Sequence, residues 1–126
     1  MQCRENGYEN FVMFHQEEFE NVFSMISERR LELRDMAVYV GLVSEMNWRT
    51  GRVSVTARAL AKKLNIKDSV CVMSLGRLKR ELLVVRVREK RSGNCYFLMN
   101  PHFASVGGVK RRGYLQSQFE EAINEL

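Results

Sequence analysis

The chain has 126 residues, of which 45% are hydrophobic and 28% charged, and its formal net charge is +5 at pH 7. This composition is ordinary for a single globular domain, and no apolar run reaches the roughly 20 residues that span a bilayer. The N-terminus lacks a basic region followed by an apolar one, so we expect a cytoplasmic protein with no membrane partner. Three separated cysteines, outside any CxxC pattern, fit reduced thiols.

Positive charge is concentrated in the middle of the chain. Residues 1–45 contain four Lys or Arg and nine Asp or Glu, residues 46–112 contain sixteen and three, and residues 113–126 contain none and three. Contacts with phosphates dominate the affinity of proteins for nucleic acid, so this asymmetry points to a polyanion as partner. A solvated basic surface without a partner is the alternative interpretation.

The N-terminal part is predicted to be mainly helical. Residues 1–10 are polar and predicted to be loose, and the short apolar run at residues 10–14 fits a strand. Apolar residues at helical spacing predict a helix over residues 15–30. A second helix is predicted to start at Glu32 or Asp35 and to end near Met46. Because it is apolar nearly all round, we expect it to be central and buried.

Residues 53–82 have the pattern of a helix-turn-helix. Thr56 is predicted to cap the first helix, because its hydroxyl accepts from free N–H groups of the first turn. Asn65 is predicted to end that helix, since Asn tolerates the left-handed conformation found at helix C-termini. Asp68 or Ser69 is predicted to cap the second helix. Its apolar stripe consists of Cys71, Leu75, Leu78 and Leu82.

After Leu82 the hydrophobic period changes from helical to two, which is typical of a strand. Residues 90–94 predict a turn in which Gly93 takes a positive φ, and residues 95–99 predict the returning strand, which Pro101 ends. A β-hairpin directly after a helix-turn-helix defines a winged helix. We therefore predict an α+β fold, a winged helix-turn-helix that is mainly helical with a β-hairpin wing. Residues 102–109 are predicted to be irregular.

The winged-helix domain is predicted to cover residues 11–112, and residues 113–126 to form a C-terminal amphipathic helix. A helix of about 14 residues is marginal in water, so it must pack against something. One choice is residues 15–46 of the same chain, and the other is a second copy. Paired motifs on two half-sites are common among helix-turn-helix proteins, which favours a homodimer.

The sequence offers little to a catalytic interpretation. His15 and His102 have no further ligand at metal spacing. The chain contains no P-loop, no nucleophile elbow and no dinucleotide-binding glycine pattern. We therefore expect no enzymatic activity, no metal and no cofactor.

The candidate DNA-binding residues lie on the motif and around it. The outer face of the second motif helix is predicted to enter the major groove, with Arg77 as the best candidate for a guanine or phosphate contact. That predicted face consists of Ser69, Met73, Arg77 and Arg80. Contacts that position the protein on phosphates are predicted for Arg58, Lys62, Lys67, Arg86, Arg88, Lys90, Arg91, Lys110, Arg111 and Arg112.

The order of these motifs resembles the winged-helix plasmid replication proteins often called RepL, over roughly residues 11–120. The segments that match are VSVTARALAKKLNI, RLKRELLVVRVR and YFLMNPHFASVGGVKRRG. The resemblance implies initiation of plasmid or phage replication, by binding double-stranded DNA at an origin and recruiting host replication proteins. A transcriptional regulator of the same fold remains the alternative. Another is a winged helix used for protein–protein interaction, because Val72 and Met73 are predicted to be exposed.

Overall fold

The computed structural model describes residues 12–47, 49–106 and 109–125, and the predicted loose segment at residues 1–10 lies outside these ranges. Five helices and five strands are found there. In chain order they are β1 (Val12–Phe14), α1 (Gln16–Ser27), α2 (Leu33–Ser44), β2 (Arg52–Val53), α3 (Ala57–Leu64), α4 (Asp68–Arg80), β3 (Val84–Arg88), β4 (Cys95–Met99), β5 (Ala104–Val106) and α5 (Val109–Asn124). Within the described ranges, no helix has both the length and the apolar character needed to cross a membrane.

The centre of the domain is formed by α2, α3 and α4, which pack on one another and on a three-stranded antiparallel sheet of order β2-β4-β3. The core between them is apolar and includes Tyr39, Leu42, Leu60, Leu78 and Val84, all of which are fully buried. Helix, strand, two helices and a β-hairpin in this order make a winged helix. The predicted α+β winged-helix fold is therefore confirmed.

Helix α3 begins after Thr56 and ends at Asn65, the two residues that the sequence predicts. The backbone N–H of Ala59 donates to the Thr56 hydroxyl over 3.1 Å, which satisfies one of the free donors of the first turn. Asn65 ends the helix with φ 57° and ψ 47°, in the left-handed region. The predicted cap of α4 was wrong: Lys67 stands at that position, and no side chain caps the helix.

The predicted burial of α2 was only half right. Its N-terminus is closed by a capping box, in which the Glu32 N–H donates to the Asp35 carboxylate over 2.8 Å. Val38, Tyr39 and Leu42 are buried, but Leu33 is 75% exposed and Val40 is 57% exposed. Helix α2 therefore packs into the domain with one face, and Leu33 and Val40 on its other face are exposed to solvent.

The wing is the hairpin of β3 and β4, and its two faces have different neighbours. The register pairs Val84 with Met99 and Val85 with Leu98. Val84 and Met99 belong to the main core, whereas Val85 and Leu98 pack against Phe119 of α5 in a second, smaller cluster. Gly93 has φ +74° in the turn, as predicted. The base of the wing is thus buried on both faces, and Val87 and Tyr96, further out, are partly buried against the second cluster.

The C-terminal helix α5 packs on the domain, at a place that was not predicted. It covers the outer face of the wing sheet, with Phe119 buried against Val85 and Leu98, while Leu115 joins the main core. The sequence analysis offered residues 15–46 of the same chain, or a second copy, as the packing partner of this helix. The buried side chains of α5 are thus covered within the chain, whereas Tyr114 on the same helix is 56% exposed. A homodimer through this helix stays a prediction.

Residues 102–109, predicted to be irregular, contain a strand and the beginning of a helix. Strand β5 pairs antiparallel with β1, the predicted strand near the N-terminus, with Met13 opposite Ser105. A strand of three residues has too few side chains to show a period of two, so the pattern could not reveal it. Helix α5 begins at Val109, so the three predicted basic contacts at residues 110–112 lie inside its first turns.

Replacing Gly51 by Ala should destabilise the protein by about 1–2 kcal/mol, because Gly51 has φ +71°, which an L side chain adopts only with strain. A Cβ there would also lie 2.7 Å from Leu115 Cδ2. Urea denaturation measures the change, and Gly76→Ala on α4 is the matched control. A Cβ at Gly76 meets nothing within 4 Å, so that variant should be more stable by up to about 1 kcal/mol. Equal effects of the two substitutions would contradict the expectation.

Candidate nucleic-acid interface

The outer face of α4 is centred on Gly76. Ser69, Val72 and Met73 are exposed in the turns before it, with Val72 56% and Met73 60% exposed, and Lys79 is exposed in the turn after it. The opposite side of the helix, with Cys71, Leu75 and Leu78, is buried. This is the face expected to enter a groove. Its central side chains, at residues 72, 73 and 76, carry no charge.

The prediction that Arg77 lies on this outer face was wrong. Its guanidinium makes a bidentate contact with Asp35 of α2, Nε to Oδ2 over 2.7 Å and Nη2 to Oδ1 over 2.9 Å. Its Nη2 also lies 2.9 Å from Glu32 Oε2. Asp35 is fully buried, and a buried carboxylate requires such a partner. Arg77 therefore joins α4 to α2, and we remove it from the candidate DNA contacts.

The ion pair shifts the pKa of both partners. Burial by itself would raise the pKa of the Asp35 carboxyl, but hydrogen bonds from Arg77 and the Glu32 N–H hold its pKa below the usual value of 3.8. The hydrogen bond to Asp35 raises the pKa of Arg77 further above its usual value. Both groups are thus held in their charged forms at neutral pH, and the contact fixes the orientation of α4.

Arg80 was also predicted on the outer face, and the structure gives its guanidinium other partners. Its Nη2 donates to the carbonyl oxygen of Arg30, after α1, and its Nε lies 3.2 Å from Glu81 Oε2. The side chain remains 58% exposed at the C-terminal end of α4. It therefore lies at the far end of the helix from Ser69, and a contact with DNA there stays a prediction.

A cleft of about 830 Å³ separates α4 from the wing. Val72, Leu75 and Lys79 line the α4 side, and Arg86 and the wing residues 92–97 line the other side. Arg86 and Arg88 alternate with Val87 along β3, so their side chains leave the strand on the same face. Arg88 is not among the residues that line this cleft. The structure thus brings the predicted Arg86 next to the outer flank of α4.

Lys79 and Arg52 are basic residues of this cleft that the sequence interpretation missed, and Arg52 is paired with Glu89 of the wing. The predicted face was centred toward Arg77, whereas the true face is rotated toward Val72. Residues 72, 76 and 79 recur at four and three, so the helical spacing contained the signal. What it lacked was knowledge of which flank of the helix α2 would cover.

Lys90 and Arg91 stand exposed at the tip of the wing. The tip is closed by two backbone hydrogen bonds of 2.8 Å, from the Glu89 N–H to Asn94 O and from the Gly93 N–H to Glu89 O. On α3, Arg58 and Lys62 are exposed at i and i+4, whereas Lys63 lies 2.6 Å from Glu45 Oε2 on the flank toward α2. Lys67 is exposed at the start of α4.

The predicted basic group at residues 110–112 is only partly described. The side chains of Lys110 and Arg111 lie outside the described residues. Arg112 is half-buried. The pKa of His15 is lowered mainly by the burial of His15 itself and next by the positive charge of Arg112. Arg112 is therefore close to the end of β1 and is not among the residues that line the cleft.

Fold and surface together define a winged-helix protein with a cleft between α4 and the wing that is lined in part by basic residues. No family model and no curated protein matches the chain. Among solved structures it is similar to an S. aureus MepR–DNA complex, with 13% identity and a TM-score of 0.45, covering 87% of this chain and 69% of that one. It is also similar to the adhesin competence repressor AdcR from Streptococcus pyogenes, with 14% identity and a TM-score of 0.40, covering 87% and 73%.

Similarities of this size carry no argument about function, and the fold assignment rests on the order of elements in this chain. No family model supports the resemblance to plasmid replication proteins, so that part of the prediction remains a prediction.

Proposed function

We propose that this protein binds double-stranded DNA, with α4 in the major groove and the wing on the adjacent sugar–phosphate backbone. The observation that carries the proposal is the arrangement of cations around the cleft. Lys79 and Arg86 line the cleft itself, while Lys90 and Arg91 extend from the wing tip. A helix fits the major groove, and basic side chains on either side of it meet the phosphates that border the groove.

Some basic residues have ion-pair partners and others do not. Arg29 and Arg34, near α1 and α2, are unpaired among the described residues, but most unpaired cations surround the motif and the wing, which supports the proposal. Arg77, Lys63, Arg30, Arg52 and Arg80 have carboxylate partners. A second group around α3, α4 and the wing has no such partner among the described residues. It consists of Arg58, Lys62, Lys67, Lys79, Arg86, Arg88, Lys90 and Arg91. Uncompensated cations at these places favour a polyanionic partner.

Regulation of transcription is the role that fits this surface most simply. Occupying a promoter requires a DNA-binding face and nothing more. Initiation of replication, which the resemblance to the plasmid proteins implies, also requires a surface that recruits host replication proteins.

One observation favours that second role, namely the apolar side chains exposed on the N-terminal helices. Phe23 is 71% exposed on α1, and Leu33 and Val40 are exposed on α2. The location of the bound DNA distinguishes the two roles. A regulator should be found upstream of a gene, and an initiator within the repeats of an origin.

Fluorescence anisotropy with labelled duplex and single-stranded DNA of equal length tests the proposal. We expect duplex binding whose log K falls linearly with log salt, by about 0.9 per contacted phosphate, so eight contacts give a slope of roughly −7. Selection of bound duplexes from a random pool then yields the site. No duplex binding at low salt, or a slope near zero, would contradict the proposal and favour the protein-interaction alternative.

A homodimer on two half-sites about one helical turn apart remains a prediction. The same selection addresses it, because a dimer should recover inverted repeats. Sedimentation with a single duplex site gives the stoichiometry. A single half-site bound by one copy would exclude the dimer and leave DNA binding in place.

A further inference from the structure

The middle of the outer face of α4 is apolar, although cations surround it. Val72 and Met73 are more than half exposed, whereas Lys67 lies at the start of the helix and Lys79 near its end. Exposed side chains of this size leave apolar area in water, which is unfavourable unless a partner covers it.

The central turns of this face lack the side chains that usually read bases by paired hydrogen bonds, and Lys79 stands only near the end of the helix. Guanine is read mostly by Arg or Lys and adenine by Asn or Gln, and α4 contains no Asn or Gln. Arg77 is bound to Asp35 and Glu32, and Arg80 is at the distal end with its guanidinium on the Arg30 carbonyl. Ser69, in the first turn of α4, is an exposed side chain that can form hydrogen bonds.

Gly76 supports a close approach of a partner to this face. The packing of the protein does not require glycine there, since a Cβ would meet no atom within 4 Å. Glycine inside a helix is less stable than alanine. Its presence at the centre of the exposed face leaves the backbone bare, at the point where the helix would be nearest to the floor of a groove.

We propose that the central face of α4 reads thymine methyl groups, with Val72 and Met73 each covering one C5-methyl group in the major groove. This inference rests on the proposed binding of double-stranded DNA. The thymine methyl is the apolar group that base edges present in that groove, so it matches the chemistry of the two side chains. Lys67, Lys79 and Arg86 around them favour DNA as the occupant over an apolar protein surface.

Replacement of thymine by deoxyuridine tests the inference, because it removes the methyl group alone. The probe is a duplex selected from a random pool by the full chain, with each thymine replaced in turn. We expect at least two positions at which the affinity falls. The loss should be about fourfold at each, which is the effect of burying one methyl group. Val72→Ala should abolish the sensitivity at one of these positions and Met73→Ala at the other.

Both residues are exposed, so the two variants should fold as the parent does. Leu33→Ala on α2 is the matched control: it also truncates an exposed apolar residue, and it should keep full sensitivity to deoxyuridine. Gly76→Ala should bind the selected duplex more weakly, although the helix itself is expected to be more stable.

Two outcomes would overturn the inference, and a third would contradict the proposed function. Duplex binding without sensitivity to deoxyuridine at any position overturns the inference and leaves the proposed function standing. Sensitivity that persists in both Val72→Ala and Met73→Ala also overturns it, because other residues would then read the methyl groups. Absence of duplex binding contradicts the proposed function itself and points to an apolar protein partner for this face.

Discussion

Replacement of Arg77 by Met should lower the free energy of unfolding by about 3 kcal/mol, because removing one member of a buried ion pair leaves the other charge uncompensated. Asp35 is fully buried and receives two hydrogen bonds from Arg77. Urea denaturation measures the loss. In Arg77→Lys the charge remains but the planar two-point contact is lost, so an intermediate effect is expected.

Lys79→Met is the matched control on the same helix. Lys79 is exposed and has no carboxylate partner among the described residues, so its loss should change stability by less than about 0.5 kcal/mol. For DNA binding, the order of the two effects should be the opposite of that for stability. Lys79→Met should lower the salt slope of binding, whereas Arg77→Met should leave it unchanged in the folded fraction. Equal stability of the two variants would mean that the ion pair does not hold α4 to α2.

The same pair should make stability depend on acidity. The pKa of Asp35 is lower in the folded protein than its usual value of 3.8. Its contribution to stability is therefore complete above that value and is lost as the pH falls through the folded pKa. In Arg77→Met, burial without the guanidinium raises the pKa of Asp35. The difference in stability between the parent and Arg77→Met should therefore shrink as the pH falls from the raised pKa of Asp35 in the variant to its lowered pKa in the parent, as unfolding at a series of pH values would show.

The features that could be predicted from the sequence are those set by neighbouring residues. Thr56 and Asn65 define the ends of α3 through contacts within one helical turn, and Gly93 allows the turn between β3 and β4. The alternation of residues 84–88 likewise follows from strand geometry alone. Such signals are local, so they placed the winged helix without knowledge of the rest of the chain.

The errors concern contacts between distant residues. A helical wheel shows that Arg77 lies on a flank of α4, but its partner Asp35 is 42 positions away. The partner of α5 was missed for the same reason: Val85 and Leu98 face away from the main core, and their strands do not show which element covers them. In this chain, sequence periodicity identifies which residues share a face, and tertiary packing decides which face remains available to a ligand.

Replacement of both Lys90 and Arg91 by Gln should weaken binding to specific and random duplexes about equally. These residues stand at the wing tip, where contacts with phosphates position the protein without reading bases. The salt slope should fall by roughly two, at about 0.9 per phosphate contact. At moderate salt the same counterion release corresponds to a loss of affinity of roughly tenfold to a hundredfold. Anisotropy titrations at several salt concentrations measure both quantities.

Arg29→Gln with Arg34→Gln is the control for net charge, because it removes two exposed cations from the region of α1 and α2, away from the wing. If only the long-range field mattered, the two double variants would bind equally and lose the same salt slope. A loss limited to the wing variant indicates direct contacts with phosphates. A loss that falls only on the selected site, with random DNA unaffected, would instead show that the wing tip reads bases, and the division of roles between α4 and the wing would then be wrong.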